Sequence, residues 1–157
     1  DVYGLPIDNL FGVFGTTWYY KLDLPGVDDF VKRYQAMYPD TKMRVPGNVF
    51  YNGYMATKNL LAAIERAGST NNIAVIKELE GHTMSAAERM QHHDAVIDPV
   101  THQVQQSIYL ATANAGTTDP DDMFKILSSS APDDVRDAGA PGSCQMESYD
   151  DTPTFDA

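Results

Sequence analysis

Between the Pro46-Gly47 break and Gly68 the chain holds its longest helical stretch, Val49 to Ala67. No other feature constrains the fold as strongly. Phe50, Tyr54, Leu61 and Ile64 fall on one stripe, with Lys58, Glu65 and Arg66 off it. That spacing predicts an amphipathic helix whose stripe must lie against a core. Gly68 stands where a left-handed C-cap belongs. Asn52, Lys58, Asn59 and Glu65 interrupt the run, so it cannot serve as a membrane span.

The flanks are read by the same physics. Asn9 to Thr17 predicts a strand, with Leu10, Phe11, Val13 and Phe14 as its apolar residues and Gly12 and Gly15 permitting close approach. An aromatic loop, Trp18-Tyr19-Tyr20, follows. Asp28 and Asp29 then open a helix that carries Val27, Phe30, Val31, Tyr34, Met37 and Tyr38, and Pro39 stops it. After Gly68, Ser69 or Thr70 is expected to cap a short helix bearing Ile73, Ile76 and Leu79, ended by Gly81. Ala95 to Ile97 and Val104 to Thr112 predict two strands joined by Asp98-Pro99-Val100-Thr101. Met123 to Leu127 suits a strand or a helix begun at Asp119-Pro120, and the chain from Ser128 reads as irregular. A strand followed by three helices implies an α/β layer.

The hairpin and the tail hold too few large apolar residues to bury each other. Ile97, Val104, Ile108 and Leu110 therefore predict a partner layer outside this sequence, or an exposed apolar patch beside the hairpin.

Charge narrows the partners. The 157 residues carry a net charge of −11, which excludes a phosphate-backbone partner; no nucleic acid is expected. Eight of those charges fall between Thr117 and Ala157, and a solvated surface is the expected reading of such a tail. Hydrophobic residues at 43% imply a packed domain. The chain opens Asp1-Val2-Tyr3-Gly4, without an initiator Met or a basic-then-apolar leader, so a processed or truncated product is expected. Cys144 is the only cysteine and lacks an activating neighbour; any disulfide partner would lie in chain outside this sequence.

Residues capable of chemistry do not assemble into a known pattern. His82, Glu88, His92, His93, Asp94 and His102 invite a metal reading, but there is no His-Glu-x-x-His, and adjacent His92 and His93 point apart on regular backbone. No metal is expected, and His102 is expected to brace the hairpin turn beside Asp98. Neither a Gly-x-Ser-x-Gly elbow nor a phosphate loop occurs. The expectation is a protein that is not an enzyme and needs no cofactor. Ligand contact instead falls to Trp18, Tyr19, Tyr20, Phe50 and Tyr51, because a Tyr or Trp ring offers a flat wall and a polar edge. Core packing competes with that role, and is favoured for Phe50 and Tyr54.

Four stretches in order resemble the type I periplasmic solute-binding proteins of the branched-chain amino acid, amide and urea ABC-transporter family. They are GVFGTTWYYKLDLPGVDDFVKRYQAMYP, GYMATKNLLAAIERAGST, IAVIKELEGHTM and AVIDPVTHQVQQSIYLATANAG. The closing MFKILSSSAPDDVRD is also similar. Where the family often has Gly-Pro-x-Gly before the hairpin, this chain has SAAERMQHHDAVIDP.

The resemblance implies an α/β chain that is an incomplete, C-terminal portion of a two-lobed fold, with a β-hairpin and an irregular tail. Residues 1–90 would form a hinge-crossing strand and the helical part of one lobe, and residues 91–157 the hairpin and acidic tail returning to the other. It implies a periplasmic or extracellular protein that holds a small amide, urea or amino acid between lobes. Its partners would be the membrane subunits of an ABC importer and the rest of the parent chain. The family's ligand-packing aromatic maps to Val49, where this chain has none, with Phe50 and Tyr51 beside it. Two other readings remain: a ligand-sensing receptor domain of the same fold, and a metal-dependent hydrolase fragment using His92, His93 and Asp94.

Overall fold

The computed structural model describes residues 5–135 and 149–155. A 3-10 turn at Ile7–Asn9 leads into strand β1 (Val13–Thr16). Three helices follow: α1 (Val27–Met37), α2 (Asn48–Ala67) and α3 (Asn72–Leu79). Short elements come next, β2 (Thr83–Met84), α4 (Ala86–Arg89), β3 (Ala95–Ile97) and β4 (Val104–Gln105). The described chain ends with β5 (Ile108–Ala113), β6 (Phe124–Ser130), one turn of helix α5 (Pro132–Val135) and a 3-10 turn at Tyr149–Asp151.

Helix boundaries follow local chemistry. Asp28 and Asp29 occupy the first turn of α1, and α1 ends before Pro39. Gly68 caps α2 at φ 60°, a conformation in which a Cβ is strained. Asn71, rather than Ser69 or Thr70, caps α3, its carboxamide oxygen accepting from Ala74 N at 3.0 Å. In the segment that departs from the family, Ser85 and Glu88 form a reciprocal capping box that starts α4.

The face of α2 differs from the expected stripe. Its buried residues are Tyr51, Met55 and Ala63, while Leu60 and Leu61 are exposed. Phe50 and Tyr54 lie beside that face, against the Phe30 ring of α1. Trp18, Leu22, Val27, Phe30, Tyr51, Met55, Met90 and Tyr109 make the main core, and Met84, Ala95 and Ile97 a smaller one under Leu79.

Pairing rearranges the second half. The expected strand Val104 to Thr112 is two strands in different sheets, broken at Gln106-Ser107. β3 pairs antiparallel with β2 and β4, while β5 sits between β1 and β6, also antiparallel. Thr16 lies opposite Tyr109, and Ala113 opposite Phe124. The strand predicted from Asn9 shortens to Val13–Thr16, and that at Met123 extends through Ser130, where irregular chain was expected. Strand β5 alternates: Tyr109 and Ala111 face the core and Leu110 faces out. Phe11, Val13, Leu110 and Leu127 are exposed around the β1-β5-β6 sheet, so a sheet of this chain shows apolar side chains to solvent.

Part of the acidic C-terminal region is paired rather than merely solvated. Asp122 meets Lys21 at 2.8 Å, and buried Asp121 meets Arg44 at 2.6 Å. Residues 149–155 lie across α3: the Asn72 side chain donates to Pro153 O and accepts from Phe155 N. The Tyr149 hydroxyl donates to the Glu80 carboxylate, which also meets His102 Nε2 at 2.9 Å. His102 sits at φ 56° and donates its N–H to Asp98 O, bracing the hairpin turn as expected. Cys144 lies outside the described residues.

Candidate functional site

The two sheets are joined at a polar junction. The chain leaves β1 at Thr17, passes again at Arg89–His93, and crosses from β4 to β5 at Gln106-Ser107. Side chains tie the three passages together. Gln91 Nε2 donates to Thr17 O at 2.7 Å and to Gln106 Oε1 at 3.2 Å. Arg89 donates through Nε to Gln91 Oε1 at 3.3 Å, and through Nη2 to Gln106 Oε1. His93 N donates to Ser107 Oγ at 3.1 Å, and His92 N to the Tyr109 hydroxyl at 3.0 Å. The start of α2 closes the group: Thr17 Oγ1 donates to Asn48 Oδ1 at 2.6 Å, and Asn52 Nδ2 donates to Thr17 Oγ1 at 3.1 Å.

Arg89 is the unusual member. It is only 2% exposed, yet forms no ion pair among the described residues. Its guanidinium lies 5.6 Å from the Tyr51 ring centroid and is otherwise held by two carboxamides and, through Nη1, by the Met84 sulfur at 3.9 Å. Burial pushes its pKa down from the usual arginine value, because a charge removed from water loses solvation that neutral partners replace only in part. The Tyr51 hydroxyl donates to Arg89 O at 2.5 Å, and burial lifts that hydroxyl's pKa to about 12.

The six residues expected to touch a ligand divide. Trp18 and Tyr51 are 1% and 0% exposed, and their rings stack at 4.8 Å and 3°. They form the floor under the junction. Tyr19 turns toward β6, accepting from Phe124 N at 3.2 Å and donating to Asp122 Oδ1 at 3.0 Å. Tyr20 packs edge-on against Tyr19 at 4.9 Å. Phe50 lies on the far side, in an aromatic cluster with Phe30, Tyr34 and Tyr38. Val49, 85% exposed, projects from the first turn of α2 beside Asn48. Among the described residues, two buried polar atoms, Trp18 Nε1 and the Tyr20 hydroxyl, have no hydrogen-bond partner. Orphans of this kind are uncommon in a settled core.

Reading by residue type missed Thr17, Asn48, Asn52, Arg89, Gln91 and Gln106. Their signal was an excess of carboxamides beside Gly47 and between two strands, a composition that surface loops share. The junction offers hydroxyl, carboxamide and guanidinium groups, which bind and orient polar groups. His92 Nδ1 and His93 Nδ1 are taken up by Tyr109 and Ser107. Among the described residues no group of three or more His, Cys, Asp or Glu is placed to hold a metal ion. Among the described residues no helix is long and apolar enough to cross a membrane.

Residues 1–118 match the model of the Periplasmic binding protein family. The chain belongs to that family. No curated protein matches it by sequence. Solved periplasmic binding proteins share its fold. An amino acid ABC transporter substrate-binding protein from Pseudomonas fluorescens Pf-5 is 25% identical with a TM-score of 0.71, over 90% of this chain and 36% of that one. A branched-chain amino acid ABC transporter periplasmic ligand-binding protein from Burkholderia xenovorans LB400 is 20% identical with a TM-score of 0.69, over 85% and 34%. An ABC-transporter solute-binding protein from Rhodopseudomonas palustris BisB5, solved with 3,4-dihydroxybenzoic acid, is 16% identical with a TM-score of 0.66, over 83% and 34%. The chain thus spans about a third of the length of these structures, and its mixed α/β architecture is that of a partial periplasmic-binding-protein fold.

Proposed function

We propose that this chain is part of the extracytoplasmic solute-binding component of an ABC importer, and that its polar junction forms one wall of the cleft that holds a small amide, urea or amino acid. The observation that carries the reading is the junction itself. Three chain passages meet there around Thr17, Asn48, Gln91 and Gln106, groups suited to a small polar solute. Val49 stands at its solvent edge, with Trp18 and Tyr51 beneath. The exposed apolar residues around β1-β5-β6 fit a chain that packs on further parent sequence.

Residues 1–90 would contribute the hinge-crossing strand and the helices of one lobe, and residues 91–157 the returning hairpin and tail. Both sheets take strands from both segments, since β1 pairs with β5 and β2 with β3. Closure of the lobes would bury the solute and present to the membrane subunits a surface the open form lacks. The cycle is binding and release without covalent chemistry, in the periplasm or outside the cell.

The test is a thermal-shift screen of the intact parent protein against amino acids, short amides, urea and aromatic acids. A ligand at a hundred times its Kd adds about 2.7 kcal/mol of stability. The expected result is a shift with one of the first three classes, weakened at least tenfold in affinity by Asn48→Ala. Response to none of them at millimolar concentration, or to aromatic acids alone, rejects the ligand assignment.

A further inference from the structure

A surface concavity of about 530 Å³ lies between α1, α2 and α4. Lys32, Arg33 and Lys58 line it, above a floor that includes Tyr54 and Met90. None of the three cations forms an ion pair among the described residues, although Lys21, Arg44 and Arg66 all do. Arg33 stacks instead over the Phe30 ring at 5.9 Å.

Two carboxylates also line the space, Asp29 and Glu88. Glu88 is already engaged: its Oε2 accepts from Ser85 N at 2.9 Å and Ser85 Oγ at 2.8 Å, in the cap of α4. Those hydrogen bonds hold Glu88 ionised, so the lining sets three cations against two carboxylates and is cationic by one charge on a chain whose net charge is −11. The excess cation favours an anion, and the apolar floor beneath it strengthens that attraction. The size falls within the roughly 300–1,000 Å³ range of small-molecule pockets, and an aromatic and a thioether wall suit a flat apolar body.

We propose that the α1-α2-α4 concavity is a second small-molecule site, which takes an organic carboxylate with a flat apolar body. The body lies against Tyr54 and Met90, and the carboxylate faces Lys32, Arg33 and Lys58. The site shares no lining residue with the polar junction. It therefore stands or falls independently of the transport reading.

The experiment uses three isosteric probes, benzoate, benzamide and benzamidine, titrated by NMR into the full chain. Benzoate is expected to bind at least fivefold more tightly than benzamide, and benzamidine least of all. Amide shifts should centre on Lys58 and Glu88. The double variant Arg33→Met with Lys58→Met is expected to weaken benzoate about fivefold, since exposed ion pairs are individually weak, and to remove most of its salt dependence. Unchanged thermal unfolding of that variant shows that it still folds. Asn48→Ala serves as the control and should leave benzoate binding unaltered. Equal affinity for benzoate and benzamidine, indifference to the double variant, or shifts centred elsewhere overturns the proposal.

Discussion

Replacing Tyr51 by Phe tests the link between the core and the polar junction with one atom. Tyr51 is fully buried, stacks on Trp18, lies under the Arg89 guanidinium and donates to Arg89 O. The Phe variant keeps the ring and its stacking and deletes only the hydroxyl. Arg89 O then loses this buried donor, at a cost of about 1–3 kcal/mol. For a domain of this size each kcal/mol moves Tm by roughly 2–4 °C, so a mid-range loss of 2 kcal/mol lowers Tm by about 4–8 °C. Tyr51→Ala also removes the ring from a packed site, and large core truncations of that kind cost about 3–5 kcal/mol. Urea unfolding of the wild type and both variants, followed by Trp18 fluorescence, gives the midpoints with slopes that show whether two-state behaviour holds. The expected order is wild type, then Tyr51→Phe, then Tyr51→Ala, with clear gaps. A Phe variant as stable as wild type refutes the argument, because the hydroxyl would then contribute nothing to holding Arg89–His93 in place.

Three further outcomes are expected. Asn71→Ala removes the acceptor for Ala74 N and should cost about 1 kcal/mol by chemical denaturation, whereas Ser69→Ala should cost less. Gly68→Ala has open space for its Cβ but must hold φ near 60°, so it should destabilise by roughly 1 kcal/mol despite the absence of a clash; a neutral result contradicts the cap. The tail latch should depend on pH. Glu80 is held below its usual value, first by the Tyr149 hydroxyl and then by His102, so its contribution is present above the ordinary carboxylate range and lost as pH falls through the lowered folded value. The Tyr149 hydroxyl is lifted to about 12 by Glu80, so its contribution is present below the ordinary tyrosine value and lost as pH rises through about 12. The stability difference between wild type and Tyr149→Phe should therefore be largest near neutrality and shrink toward both extremes; a pH-independent difference rules the latch out.

The sequence by itself determined the three longer helices, α1, α2 and α3. Their signals are short-range: apolar spacing, acids in the first turn of α1, Pro39 as a stop, and Gly68 in the one conformation that favours a residue without a Cβ. The order of four such stretches was also enough to show the resemblance to solute-binding proteins. Tertiary structure alone decided the rest. The face of α2 turned from Phe50, Tyr54, Leu61 and Ile64 to Tyr51, Met55 and Ala63, because the partner that selects a face is the distant Trp18 ring and not a neighbour in sequence. The apolar run Val104 to Thr112 broke at Gln106-Ser107, because strand pairing is non-local and β5 found β1 and β6. Segments of like composition cannot announce which strand they will join. The burial of Arg89 and Gln91 had the same cause. A charged or amide side chain reads as surface until several chain passages close over it and supply its hydrogen bonds.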